Sequence, residues 1–247
     1  AVRKKKNSIF ISILGEIKSS LPLSTIQQNS ILQYDKIKKI YYIISPITTN
    51  KEKTIEHYKK CGIDIGVRTF MTVYSPEESF EIGNNTNNVI DDINNRLDAI
   101  KISKTNNNIT RKKYKKTHIK YTDKLRNKIN DLHNKSARYL LERFDTILIG
   151  KVSTKSMISN LKGNLRKIVK RRLIGLSHYR FRMKLISMSH KFGSEIKLIN
   201  EYRTTKKCCN CNNIKNNVGS NKIYKCDVCP LILDRDINAS INIYNLC

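Results

Sequence analysis

Gly62-Ile-Asp-Ile-Gly66 is the stretch on which the reading of this chain turns. As a strand it alternates, with Gly62, Asp64 and Gly66 on one face and Ile63 and Ile65 on the other. The isoleucines belong to a core. The opposite face carries one carboxylate between two residues without side chains, which leaves room for metal ions and a phosphate backbone. Taken alone, an Asp-x-Gly is more often a strand-end acid in a turn.

Outward from this strand the pattern continues. Thr69–Tyr74 reads as a second strand, Pro76-Glu-Glu as a turn and Ser79–Ile82 as a third strand, an antiparallel meander. Asn84–Asn88 is a polar loop. Residues 89–143 are helical, with Leu125, Ile129, Leu132, Ala137, Leu140 and Leu141 on one face. Asp145–Ile149 is a strand of buried type. Leu165–Met188 has helical apolar spacing, and Gly193 fits its stop. Glu195–Asn200 is a fifth strand, and Asp234–Tyr244 a last helix. Upstream, Ser8–Leu14 and Ile40–Ile47 are apolar, the latter a strand that Pro46 ends. Strand–helix alternation after a meander argues for an α/β fold with a mixed sheet flanked by helices.

The 247 residues hold 48 Lys+Arg against 20 Asp+Glu, a net charge of +28. No run approaches the roughly 18 apolar residues of a membrane span, and Lys4-Lys-Lys6 is followed by too short an apolar run for a signal peptide. An intracellular setting is the expectation: nucleus or viral factory for a eukaryotic or viral host, cytoplasm otherwise. The charge is concentrated. Residues 101–140 carry 13 Lys/Arg and two acids, and residues 151–194 carry 12 and none. A polyanionic partner, nucleic acid, explains that best. The plainer alternatives are a merely basic protein, or Lys enrichment drifting with an A/T-rich genome.

Seven cysteines include Cys208-Cys-Asn-Cys211 and Cys226-Asp-Val-Cys229, two CxxC pairs. Tetrahedral Zn²⁺ takes four thiolates, and each CxxC turn can present two. Cys208, Cys211, Cys226 and Cys229 are therefore the expected ligands of a structural zinc ribbon, with Cys209 able to substitute in register. A redox CxxC is the weaker reading. Near the C-terminus, Asp234-Arg-Asp-Ile-Asn-Ala239 opens the last helix. One of Asp234 and Asp236 suits an N-terminal cap, leaving the other to bind metal. Two acids from distant segments of a basic chain point to two-metal phosphodiester cleavage. The histidines show no partner pattern; His133 reads as a packing or phosphate-contact residue. Arg235 sits between two acids as an orienting or phosphate-binding group, and Tyr114, Tyr121 and Tyr179 lie among Lys/Arg where bases could stack.

In order, Gly62-Ile-Asp-Ile-Gly, the basic helix with Leu132-His133, Ile147–Ile149, Thr204-Thr-Lys-Lys-Cys-x-x-Cys, Cys226-x-x-Cys and Asp234-Arg-Asp-Ile-Asn-Ala resemble the TnpB/OrfB proteins of insertion sequences, over about residues 40–247. The resemblance implies an RNase H-like (RuvC) nuclease core with an inserted zinc ribbon. It implies RNA-guided, Mg²⁺-dependent DNA cleavage, with Asp64 as the first catalytic acid and Asp236 as the last. The family places a Glu at the end of the fourth strand, where this chain has Gly150. Either the nuclease is dead, a nucleic-acid-binding remnant, or Glu201 at the end of the neighbouring strand replaces the lost acid. The latter is the arrangement of the Fanzor branch and the one favoured. On this reading residues 1–58 are a partial, shortened N-terminal wedge, 59–206 the nuclease core, 207–230 the zinc ribbon and 231–247 the last nuclease segment. DNA and a guide RNA are the implied partners.

Overall fold

The computed structural model describes residues 2–3, 8–9, 29–36, 38–46, 48, 59–151, 154–159, 165–219 and 221–246. The chain forms two compact units, Ala1–Asn50 and Lys51–Cys247. In the first, β1 (Val2–Arg3) pairs antiparallel with β2 (Ser8–Ile9). A second hairpin joins β3 (Ile31–Asp35) to β4 (Ile40–Ile44). β4 is the strand expected before Pro46, and it stops at Ile44. β3 lies in what reads as a polar connection; its signal is the short Leu32-Gln-Tyr-Asp35 alternation. Most of the Ser8–Leu14 stretch lies outside the described residues.

The second unit is built on a five-stranded sheet in the order β7-β6-β5-β8-β9. β5 (Lys60–Ile65), β6 (Met71–Tyr74) and β7 (Ser79–Ile82) form the antiparallel meander. β8 (Thr146–Gly150) and β9 (Glu195–Ile199) then run parallel to β5. All of β8 is buried, as a Thr-Ile-Leu-Ile run requires of a central parallel strand covered on both faces.

The alternation read in β5 holds. Cys61, Ile63 and Ile65 face a core with Ile147, Ile149, Phe181 and Leu185. The other face meets the last helix, α6 (Arg235–Tyr244). The space beside Gly62 is not open to a ligand as the sequence reading expects. A Cβ there would meet Ser240 O and come within 2.6 Å of Tyr244 N, so the glycine admits the helix backbone.

The helices are more divided than their periodicity shows. α1 (Thr86–Thr105) begins inside the expected Asn84–Asn88 loop. Asn107, in the left-handed region at φ 59°, separates it from α2 (Arg111–Arg143), which Thr110 caps by accepting from Lys113 N–H. Ile129, Ala137, Leu140 and Leu141 of α2 are buried, and no residue of α2 before Ile129 is. After the short α3 (Thr154–Ile158), the Leu165–Met188 stretch is two helices, α4 (Lys167–Leu176) and α5 (His178–Phe192), broken where Ser177 adopts φ 50°. Gly193 at φ 70° ends α5 as expected. β10 (Ile223–Lys225) and β11 (Ile232–Asp234) form a hairpin that leads directly into α6. Among the described residues no helix is long and apolar enough to cross a membrane.

Candidate functional site

The parallel strands set the site. β5, β8 and β9 run in one direction, so Asp64, Gly150 and the residues after Ile199 all lie at the same end of the sheet. This carboxyl end is where open α/β sheets hold ligands. Asp64 sits on the face of β5 that meets α6, and Asp236 lies in the first turn of that helix. Asp234 is the N-cap, its Oδ1 accepting from Asp236 N–H at 2.8 Å and Ile237 N–H at 3.3 Å. The two acids of the Asp234-Arg-Asp236 motif thus divide their work, and Asp236 is free of the capping role.

Glu201 follows β9, which is paired to β8 with Ile199 opposite Gly150. Its carboxylate fills the space that a side chain at 150 would occupy, since a Cβ built on Gly150 falls on Glu201 Oε1 and Cδ. That oxygen is buried and has no hydrogen-bond partner among the described residues. The buried Arg182 of α5 donates to Gly150 O at 3.4 Å. Burial pushes the Glu201 carboxyl up to about 7, against the pull of the Arg182 guanidinium.

Asp64 feels the charge of the other acids. Desolvation pushes its carboxyl up to about 8, and the charges of Glu201 and Asp236, then Asp234, add to the shift, partly offset by Arg235. Carboxylates at one end of the sheet, one with an unpartnered buried oxygen, are hard oxygen donors of the type that Mg²⁺ takes. They do not close on a single point: among the described residues, only the cysteines bring three or more ligand atoms within 4.8 Å of one another.

The cysteine site does converge. Cys208, Cys211, Cys226 and Cys229 place their sulfurs within that distance, with Cys208–Cys229 at 3.7 Å and Cys211–Cys226 at 3.5 Å. A tetrahedron with bonds of about 2.3 Å has edges of about 3.8 Å, so the four thiols fit a structural zinc ion. The backbone amides of Cys229 and Val228 draw the Cys226 thiol down to about 6. Cys211 moves to about 12: the Asn213 amide lowers it, but desolvation and the three neighbouring sulfurs outweigh that. Cys209 stays outside the set. Beneath the knuckles Tyr224 of β10 is buried and donates its hydroxyl to Lys206 O at 3.2 Å.

Other candidates resolve differently. His133 is buried, with Nε2 2.9 Å from Leu176 O, and is a packing residue. Arg235 lies against Asp236 Oδ1 at 3.4 Å, the orienting role. Tyr179 is exposed, whereas Tyr114 and Tyr121 lie under Lys104 and Arg96. Arg171 and Arg172 bind Asp98 and Asp91 of α1, so part of the basic 151–194 segment pins helices together. Sequence reasoning missed Arg182, Asn238 and Asn242. Asn238 and Asn242 are spaced i, i+4 on a helix whose other signals are apolar, which is the cue that could have found them; Arg182 has none, being one cation among many.

Residues 39–161 match the family OrfB_IS605, "Probable transposase", and residues 178–243 match "Cas12f1-like, TNB domain". TnpB-like protein L770 of Acanthamoeba polyphaga mimivirus is 38% identical over 245 residues, 97% of this chain and 47% of that protein. TnpB-like protein R854 of the same virus is 38% identical over 245 residues, 97% of this chain and 46% of that protein. The chain thus spans about half the length of these relatives. Among solved structures, the Cas12f1–sgRNA–target DNA complex aligns with a TM-score of 0.55 at 20% identity, over 75% of this chain and 49% of that one. The CRISPR-Cas12f ternary complex aligns at 0.56 and 20% identity, over 83% and 41%. The likeness is one of fold.

Proposed function

We propose, for a chain that belongs to the TnpB/OrfB IS605 family and carries a Cas12f-like TNB zinc domain, that it is a transposon-derived, RNA-guided DNA endonuclease of the Fanzor-like kind. Residues 59–206 form an RNase H-like (RuvC) core, 207–230 its inserted zinc ribbon and 231–247 its last segment, after a partial wedge in 1–58. Asp64, Glu201 and Asp236 are the catalytic acids and would hold Mg²⁺. The observation that carries this is the Glu201 carboxylate in the place of a side chain at Gly150. An acid absent from the end of β8 is supplied from just after β9 at the same position in space, which favours a compensated nuclease over a dead one.

When bound, two Mg²⁺ ions supply Lewis-acid activation of water and stabilisation of the leaving oxygen. The chain's own residues do the rest. Asp64 and Asp236, from a strand and the helix packed on its face, bring donor oxygens to the same face at the sheet end. Arg182 offsets the negative charge of Glu201 and fixes the Gly150 carbonyl beside it. Water adds to a backbone phosphorus as one P–O ester bond breaks, leaving a phosphate end and a hydroxyl end with no covalent enzyme intermediate. The exposed cations of α2 supply phosphate contacts to DNA and guide RNA.

The test is Mg²⁺-dependent cleavage by the purified chain with its flanking transcript. Asp64→Ala and Glu201→Ala are expected to lose roughly a thousandfold in rate, the several kcal/mol that positioned metal supplies. Equal activity in wild type and both variants would remove these acids from the mechanism. Binding of nucleic acid without any cleavage would leave the inactive remnant.

A further inference from the structure

The segment from β9 to the first zinc knuckle, Glu201-Tyr-Arg-Thr-Thr-Lys-Lys-Cys-Cys209, joins an acid to a zinc ligand, and it is fastened along its length. At the near end, Thr204 donates to Glu201 O from its backbone N–H at 3.3 Å and its hydroxyl at 3.2 Å. At the far end stands Cys208. Between them two side chains of α6 grip the backbone. Asn242 Nδ2 donates to Thr204 O at 2.9 Å and Lys207 O at 2.7 Å. Asn238 Nδ2 donates to Lys207 O at 2.8 Å, while its Oδ1 accepts from Cys209 N–H at 3.0 Å. The Asn238 amide therefore pairs with the backbone on both sides of Cys208.

Both asparagines are buried, Asn238 fully and Asn242 to 5% exposure. Buried amides are costly unless satisfied, and these two are satisfied by the zinc knuckle and its approach. The same helix carries Asp236 in its first turn, and its cap, Asp234, is the last residue of β11, paired with Ile223 of the zinc hairpin. The helix is thus attached to the cysteine module at its start and along one face.

We propose that Asn238 and Asn242 are positioning residues that fasten the zinc module to the helix of Asp236, so that the four-thiolate site sets where Glu201 and Asp236 stand relative to one another. The inference rests on the reading of Asp64, Glu201 and Asp236 as the Mg²⁺-holding acids. The cysteine module, held by its metal, would then govern the chemistry by fixing the frame on which both acids stand. Partners that orient metal-binding groups from behind typically matter by about 10–100-fold in metal affinity.

The probe is Mn²⁺, its free fraction read by electron paramagnetic resonance on the 247-residue chain, with zinc content measured on the same samples. Asn238→Ala and Asn242→Ala are expected to keep one zinc per chain and to weaken Mn²⁺ binding about tenfold or more, while Asp64→Ala removes that binding. Wild type stripped of zinc should show the same weakening, an answer that needs no substitution. Unchanged Mn²⁺ affinity in the zinc-loaded asparagine variants, or in zinc-free wild type, overturns the proposal, while abolished binding in Asp64→Ala leaves the acids standing. Loss of zinc from both asparagine variants also overturns it, by placing the amides in the folding of the zinc site itself. An Asp64→Ala chain that binds Mn²⁺ like wild type overturns the reading of the acids, and the proposal with it.

Discussion

At the scale of single residues, two glycines explain how acids and helix come so close. Gly150 has no side chain because Glu201 uses the space. Either position can supply a carboxylate there, but a Cβ at 150 and the present Glu201 cannot coexist. Gly150→Ala is accordingly expected to abolish cleavage as fully as Glu201→Ala while the thermal unfolding midpoint changes little, because Glu201 can swing outward to solvent. Cleavage at the wild-type rate in Gly150→Ala would show that the carboxylate works from elsewhere. Gly62 differs, because its neighbours are the backbone of Ser240 and Tyr244 rather than a mobile side-chain tip. Gly62→Ala must push α6 off the sheet and is expected to cost about 1–3 kcal/mol in denaturant unfolding, as overpacking does. Sequence alternation identified which residues share a face with Asp64, but not that the chain's own helix fills that face.

At the scale of elements, α2 and α5 meet through a buried aromatic group in which His133 and His178 stack on Phe70 at ring-centroid distances of 5.4 Å. Burial pulls both imidazoles down to about 4. Lys184 and Arg180 add to that for His133, and His133 and Arg182 for His178. The unfolded value is about 6.5. Groups depressed in the fold contribute stability that is full above the unfolded value and is lost as pH falls toward the folded one. The urea midpoint is therefore expected to fall between about pH 6.5 and pH 4, less steeply in His133→Gln and His178→Gln. Asp64 and Glu201, raised in the fold, act in the opposite direction, so the variants' slopes and not the wild-type curve alone carry the test. Coincident profiles for wild type and both variants would contradict it. Periodicity located these helices but not their breaks. Asn107 and Ser177 turn the chain through the left-handed region, and an apolar repeat runs across one such residue without recording it.

At the scale of the whole molecule, the +28 charge is divided in its uses. Arg171 and Arg172 hold helices together, and Arg182 faces Glu201. Residues 111–128 of α2, by contrast, include no fully buried residue and carry nine Lys/Arg. At 1.5 Å per residue they make a basic arm about 27 Å long. Binding of nucleic acid is expected to weaken linearly in log–log plots against salt. Replacing Lys112, Lys113, Lys115 and Lys116 with Ala should flatten the slope by about 1 for each phosphate that the helix no longer neutralises; an unchanged slope would put the phosphate-binding cations elsewhere. What the sequence by itself determined were the local features: the strand alternation, the cysteine spacing that fits zinc, the capping motif of the last helix, and the basic segments. These follow from period, turn chemistry and ligand geometry within a few residues. Only the tertiary structure decided that Glu201 lies where Gly150 leaves room, that α6 packs on Gly62, and that Asn238 and Asn242 tie the zinc knuckle to the helix of Asp236. Each of those depends on segments 29 or more residues apart arriving at one place, which sheet register and side-chain packing settle and no local pattern encodes.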